Sequence, residues 1–500
     1  MRADKSISDM AKLFKSKLTE MGLLLGLFLT CSPASNALAE ETTLASTYAN
    51  TYASSNANHE QSESETETEN SDHPKSQNWS IHIQTTNIEQ RKNNFYSPYS
   101  SINSTRGNSS LLSRMDGDNN RSFSFSTTAF LGARLWKGAE GYYNSEIFEG
   151  IPFTGSLVGL GGPQNGELQK GAFMPATTYH ARAFIRQTFG LGGGEEYVPE
   201  ETVNQLAGTI NKNRLVLTWG KVASLDFFDM NAYSHDPRIH FMNFSAFSMA
   251  AYGYAADTRG YTYGLVVELY QNEWTLKAAR LAAPTSPNQL EIDYTLTKDY
   301  VDQFEITHKH KIGNLAGAVR GIAFLQHAYM SNYQDAILYA QSNPASGAPS
   351  IFNTRKTNTM FGYGLNAEQA INSDLGIFTR WSWNNNQTET NTLDVGRSLT
   401  IGTTLQGSQW NRKGDTYGLA WATNALSNSE VRYLQLGGQT MFIGDGAIQY
   451  KTEQILETYY SAKLFKDLFL TADFQKITNP AYNSARGPVN IISMRLHFEL

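Results

Sequence analysis

The last twelve residues, Val489 to Leu500, alternate with a period of two. Ile492, Met494, Leu496, Phe498 and Leu500 fall on one face; Ser493, Arg495, His497 and Glu499 fall on the other. Strand side chains point alternately to opposite faces, so this stretch reads as a strand that is apolar on one side and charged on the other. The rhythm recurs from Trp79 onward in sixteen segments. They are Trp79–Ile88, Arg121–Trp136, Glu140–Phe148, Thr178–Phe189, Arg214–Val222, Gly260–Tyr270, Trp274–Ala282 and Tyr300–Ile312. Then come Leu315–His327, Asn358–Ile371, Leu375–Asn384, Val395–Gln406, Asp415–Asn424, Glu453–Leu464, Leu468–Lys476 and Val489–Leu500. One such segment is a weak signal. Sixteen of them, with no later apolar run of helix-spanning length, predict an all-β, antiparallel transmembrane barrel of about 16 strands. Its apolar face meets outer-membrane lipid and its polar face meets water. A closed sheet is what hydrocarbon demands, because an open edge leaves unpaired N–H and C=O groups at several kcal/mol each.

Connection lengths test the scheme independently. Barrels of this kind have short periplasmic turns and long external loops, and the two alternate. Gln271–Glu273, Gly313-Asn314, Asn372–Asp374 and Phe465–Asp467 are short; Ala283–Asp299, Ala328–Thr357 and Thr478–Pro488 lie between them and are longer. Counting Arg432–Phe442 as a strand breaks the alternation, so Ala425–Thr452 is expected to be one external loop. Gly190–Asn213 is the awkward piece, since it is long yet falls on the periplasmic side. Asp335–Gln341 has room for one or two helical turns within a loop.

The first 39 residues read as a cleaved export signal. Lys12, Lys15 and Lys17 are basic, Met21 to Cys31 is apolar, and Ala37-Leu38-Ala39 is a cleavage site. Removing them takes the net charge from −6 to −8, a mild acidity that argues against nucleic acid. Cys31 is the sole cysteine, which excludes disulfides and thiol metal sites from the mature chain. Residues 40–78 are acidic and rich in Ser, Thr and Asn, with almost no large aliphatic residues; they read as a disordered, solvated linker or a periplasmic tether. The barrel domain is then 79–500.

Ordered motifs run through the barrel. Trp219-Gly220-Lys221, Phe228-Asp229, Ser234-His235-Asp236-Pro237-Arg238 and Phe241-Met242-Asn243 come first. Glu368-Gln369, Gly376, Arg380, Gly418-Leu419-Ala420, Gly444-Asp445-Gly446, Asn479-Pro480-Ala481-Tyr482-Asn483 and Arg495-Leu496-His497 follow. The set resembles the carbohydrate-selective porin (OprB) family. The chain departs from similar barrels in ending on Leu500 rather than Phe, and Arg91–Asn120 matches little. The resemblance implies passive, saturable diffusion of small sugars across the outer membrane of a Gram-negative bacterium. It also implies assembly by the barrel-assembly machinery, which reads the C-terminal strand.

A neutral polyol needs hydrogen-bond partners of both kinds, whereas a ring of one charge sign selects ions. The expected inward set is mixed: Arg182, Arg186, Lys277, Arg320, Arg380, Lys463 and Arg495 against Glu268, Glu305, Glu368, Glu453, Glu457 and Asp473. Of these, Arg182, Arg186, Glu268, Glu368, Arg380, Glu453, Glu457 and Asp473 are the candidates for the solute path. They serve equally well as cross-strand ion pairs that support the wall. A sixteen-stranded pore is wide, so selectivity needs an infolded loop, and Phe148–Thr177 and Ala223–Arg259 are long enough. In the second, His235, Asp236 and Arg238 form either a constriction or a structural knot. A channel for amino or organic acids would show a one-sided basic ladder, and a membrane hydrolase a Ser and His on the lipid face. A structural or adhesion barrel would have a plugged lumen. His308 and His310 share a face with Phe304, Ile306 and Ile312, as an interfacial belt does, so no metal site is expected; nor is a cofactor or catalytic group.

Overall fold

The computed structural model describes residues 77–93, 95, 120–153, 163–170, 176–192, 196–197, 201–444 and 448–500. The export signal, nearly all of the linker and most of Arg91–Asn120 lie outside these residues.

Each amphipathic segment forms a strand. In chain order they are β1 (Trp79–Lys92), β2 (Arg121–Trp136), β3 (Ala139–Ile151), β4 (Thr177–Gly190), β5 (Arg214–Val222), β6 (Thr262–Gln271), β7 (Trp274–Ala282) and β8 (Tyr300–Ile312). The second half is β9 (Leu315–Met330), β10 (Lys356–Ala370), β11 (Leu375–Asn384), β12 (Arg397–Gly407), β13 (Arg412–Ala425), β14 (Glu453–Phe465), β15 (Leu468–Thr478) and β16 (Val489–Glu499). Each pairs antiparallel with its sequence neighbours, and β1 closes on β16 with Gln84 opposite Glu499 and Lys92 opposite Ile491. The result is a closed barrel of sixteen strands among the described residues. Leu500 continues the closure by exchanging both backbone hydrogen bonds with Ile83.

The alternation sorts the faces as expected. On β16, Ile492 and Met494 are 65% and 55% exposed on the outer surface, while Ser493, Arg495 and His497 are buried on the inner one. Phe304, Ile306 and Ile312 face outward, and Trp274 and His308 lie ring to ring at 4.3 Å on the same outer surface. No group of three or more metal-ligating side chains occurs among the described residues.

The short turns and long loops alternate, and both β1 and β16 meet the short-turn end. Arg432–Phe442 holds no strand; the loop between β13 and β14 instead carries a helix, α3 (Asn428–Gln435), capped by Ser427. Helix α2 (Tyr333–Ser342) lies in the β9–β10 loop, and Tyr333 packs at a tilt against Tyr433 of α3, with ring centroids 5.2 Å apart. A four-residue helix, α1 (Phe244–Phe247), lies inside the long connection from β5 to β6. The exception to the length rule is the β4–β5 connection. Part of it pairs as a ribbon, Glu196–Tyr197 with Ile210–Asn211, at the short-turn end.

Gly220 shows why its motif needs a glycine. It has φ +139°, and a Cβ there would come within 2.3 Å of the Ala183 carbonyl across the β4–β5 ladder.

Candidate functional site

The chain leaving β5 at Ala223 turns inward and returns to β6 only at Tyr261. Nearly all of it is buried inside the barrel, with Phe228, Phe241, Phe244, Phe247, Met249 and Tyr252 in one apolar cluster with Phe324, Phe378 and Tyr459 of the wall. Phe241 meets Tyr459 edge to face at 5.0 Å and Phe378 at 5.6 Å. Small wall residues make the room. A Cβ on Gly376 would meet the Tyr233 ring at 2.0 Å, and one on Gly364 the Met249 sulfur at 2.3 Å.

Apart from α1, this segment has little regular structure, so its backbone N–H and C=O groups must find partners elsewhere. The wall supplies them. Carboxylates accept from its amides: Glu305 from Asp229 N at 2.9 Å, Glu368 from Ala232 N at 2.7 Å, and Glu457 from Met242 N and Asn243 N. Cations donate to its carbonyls: Lys277 to Phe227, Arg380 to Ser234, and Arg495 to Pro237, Ile239 and His240 at 2.7–2.8 Å. Asn384 and Thr400 donate to the carbonyls of Ala251 and Ser245, Ser382 accepts from Ala251 N, and Asn424 donates to the Ser245 hydroxyl. Hydrogen bonds to charged groups contribute about 1.5–3 kcal/mol each, so this mixed set of charges is the means by which the segment is held.

Asp229 is the deepest anchor. It is fully buried and has φ +58°, a left-handed conformation that Asp tolerates better than most residues. Its Oδ1 accepts from Arg380 Nε at 2.9 Å and Asn366 Nδ2 at 2.6 Å, and its Oδ2 from Met249 N at 2.7 Å.

Arg238 ties a second loop to the first. Its guanidinium donates to Glu146 of β3 at 2.8 Å, to Glu167 at 2.9 Å and to Gln84 of β1 at 2.7 Å. Glu167 sits on a short helical turn, Gly166–Lys170, in the β3–β4 loop, and Lys170 reaches both carboxylates. Burial opposes ionisation of Glu167, but the Arg238 and Lys170 charges outweigh it and hold the carboxyl below its ordinary range. Asp236 Oδ1 accepts from Arg238 N, and the His240 ring accepts from His235 N. Burial, with the positive neighbours His235, Arg495 and Arg380, lowers His240 to about 3, so the ring is neutral.

The segment does not fill the whole lumen. Between its inner face and the arc from β2 to β6 lies a cavity of about 350 Å³. Arg182, Arg186 and Arg214 project into it from β4 and β5, and Glu268 and Tyr270 from β6. Arg182 pairs with Asp226 through two contacts of 2.6 Å, and its guanidinium lies 5.2 Å from the Tyr261 ring. Arg214 stacks on Tyr270 at 3.7 Å, and Tyr270 donates to Glu268. The lining as a whole carries six carboxylates and six Lys or Arg side chains, with His235 and His240 beside them. It is polar and crowded with rings, but has no net sign.

The structure therefore divides the residues expected on the solute path. Arg182, Arg186 and Glu268 border the cavity, as do His235, Asp236 and Arg238. Glu368, Arg380 and Glu457 are bonded to the infolded segment and do not border the opening. Glu453 accepts from Ala481 N of the β15–β16 loop, and Asp473 accepts from Ser493 and Gln475 of the wall. Glu146, Glu167, Lys170 and Asp226 were missed as site residues. Glu167 and Lys170 belong to a loop with no strand rhythm, and spacing alone could not bring them to β3. Asp229 was legible as part of a motif but not as the partner of Arg380.

A closed sixteen-stranded barrel with lipid outside and a loop-narrowed aqueous passage inside is an outer-membrane diffusion channel. The chain matches the model of the carbohydrate-selective porin, OprB family, over residues 119–500, and it belongs to that family. A Pseudomonas putida OprB structure determined at high pH superposes with a TM-score of 0.62 at 13% identity, covering 85% of this chain and 94% of that one. The outer membrane channel DcaP of Acinetobacter baumannii gives a TM-score of 0.47 at 9% identity, covering 84% and 97%. Comparison with curated proteins returned no match. The protein is thus a carbohydrate channel of a Gram-negative outer membrane.

Proposed function

We propose that small, uncharged sugars pass through the cavity between β2–β6 and the infolded segment, and that Arg182, Arg186, Glu268, Asp236 and Tyr261 contact them there. The carrying observation is the equal number of carboxylates and Lys or Arg side chains in the lining. A lining of one sign would raise the local concentration of counter-ions; a balanced one offers donors and acceptors to a polyol without attracting salt. The size of the cavity is that of a small-molecule site.

The test is single-channel conductance in planar bilayers, with sugar added to one side. Saturable block by neutral sugars, and none by amino or organic acids at equal concentration, is expected. Arg182→Ala should weaken the block. A wild-type barrel that carries no current would instead favour a plugged, structural role.

Two further assignments complete the reading. The barrel-assembly machinery engages the terminal strand, whose outer face carries Ile492 and Met494. Residues 1–39 direct export, and residues 40–78 act as an acidic linker ahead of β1.

A further inference from the structure

The β4–β5 connection lies at the end of the barrel where the other turns are short, yet it spans residues 191–213. From Thr202 it rises into the lumen rather than lying beneath it. Thr202 and Gln205 exchange backbone hydrogen bonds at 3.1–3.2 Å, closing a tight turn with Asn204 at φ +54°. Inward-facing side chains then hold the backbone that follows. Arg186 donates to Asn204 O at 2.8 Å, Tyr142 OH accepts from Leu206 N at 3.1 Å, and Arg134 donates to Ala207 O at 3.3 Å. Gln77, just ahead of β1, grips Ala207 from the other side through both its backbone N–H and its side-chain oxygen. Leu206 is buried in the cluster that holds Tyr142 and Phe184, and Val203 packs with Phe130. Val203, Asn204, Gln205, Leu206 and Ile210 all border the cavity described above, at its short-turn end.

We infer that residues 202–210 form a second constriction in series with the infolded external segment, and that Leu206 sets the size of the sugar that leaves it. The inference rests on the carbohydrate passage proposed above and adds where its size limit lies. The two narrow points differ in chemistry. The upper one presents paired charges, which recognise hydroxyl groups. The lower one sets Leu206 and Val203, whose side chains make no hydrogen bonds to solute, beside Asn204 and Gln205 of the same turn. An apolar narrowing resists hydrated ions more than it resists neutral solutes, because ions lose more on leaving water. It discriminates among sugars by width and length rather than by hydroxyl pattern. Arg186 thereby gains a role that its inward position alone did not reveal: it positions the lower constriction through Asn204.

The experiment compares wild type with Leu206→Gly in planar bilayers and in liposomes swelling in glucose, a disaccharide and a trisaccharide. Leu206→Gly should raise ionic conductance, and should raise the swelling rate severalfold for the trisaccharide but little for glucose. A second variant, Leu206→Cys, shortens the side chain but places a single thiol at the turn, since Cys31 lies in the export segment. A bulky thiol reagent added on the short-turn side should then cut its conductance in one step. Unchanged conductance and unchanged sugar selectivity in both variants, with a wild type that conducts and is blocked by glucose, would overturn the second constriction alone. A wild type that glucose does not block would overturn the passage and this inference together.

Discussion

Arg380 on β11 and Arg182 on β4 both point into the lumen from the middle of a strand, and both bind an aspartate of the same infolded segment. Their surroundings differ. Arg380 is 1% exposed, sealed between wall and segment, and its partner Asp229 is fully buried. The Arg182 side chain is 16% exposed beside the cavity, and its partner Asp226 is 29% exposed. The contrast extends along the wall. Strands β7, β8, β10, β11, β14 and β16 each place an inward charge on backbone groups of the segment. The arc from β2 to β6 keeps several of its charges at the edge of open space. An inward charge therefore has two destinations, and what separates them is whether loop backbone lies against that strand.

The strongest challenge to this contrast is Arg380→Ala. Removing one partner of a buried pair leaves Asp229 uncompensated and should cost about 3–5 kcal/mol. A lowered denaturant midpoint and a larger, noisier single-channel conductance are expected; an unaltered midpoint would mean that the segment is not anchored there. Gly376→Val should come next. The new side chain would overlap the Tyr233 ring, and overpacking of this kind costs about 1–3 kcal/mol. Arg182→Ala should cost about 1 kcal/mol or less, since its ion pair is part-exposed. It removes one positive charge from the cavity, so the reversal potential in a salt gradient should move toward cation preference. If Arg182→Ala proves as destabilising as Arg380→Ala, the two arcs are not distinct.

A pH series sharpens the contrast between the infolded segment and the external loops β11–β12 and β13–β14. Burial raises Asp394 to about 7, with Glu389 adding to the effect, and burial with Asp394 raises Glu430 of α3. The raised Asp394 carboxyl contributes stability that is full below its ordinary range, near 4, and is lost as pH rises through about 7; Glu430 acts in the same direction. His240 behaves oppositely: its contribution is full above about 6.5 and declines as pH falls toward 3. Protection factors in hydrogen exchange, corrected for the intrinsic pH dependence of the rate, should rise in 385–396 and 428–435 on going from pH 8 to 5, and fall in 235–243 on going from pH 7 to 4. Parallel changes in both regions would contradict these assignments.

The strand pattern was readable because the pleat repeats every two residues and each face meets one solvent. The exclusion of Arg432–Phe442 followed from connection lengths alone. The motif at Ser234 to Arg238 marked the right loop, since a loop that enters a lumen carries polar and aromatic residues a free loop does not need. The eight inward candidates were less informative. Glu457 and Glu268 look alike in sequence, both carboxylates in mid-strand, yet one accepts from Met242 N and the other faces the cavity. The β4–β5 connection stood out as too long for its side, but its length did not disclose that Leu206 enters the lumen.

The amino-acid order by itself determined the number of strands, which face meets lipid and where the chain must loop. Those properties are local: each depends on residues a few positions apart and on the solvent at each face. Tertiary structure alone decided which inward charges hold backbone and which border the passage. That choice depends on where residues 202–210 and 223–261 come to rest. A strand cannot encode it, because a buried carboxylate is satisfied equally by a loop amide or a sugar hydroxyl.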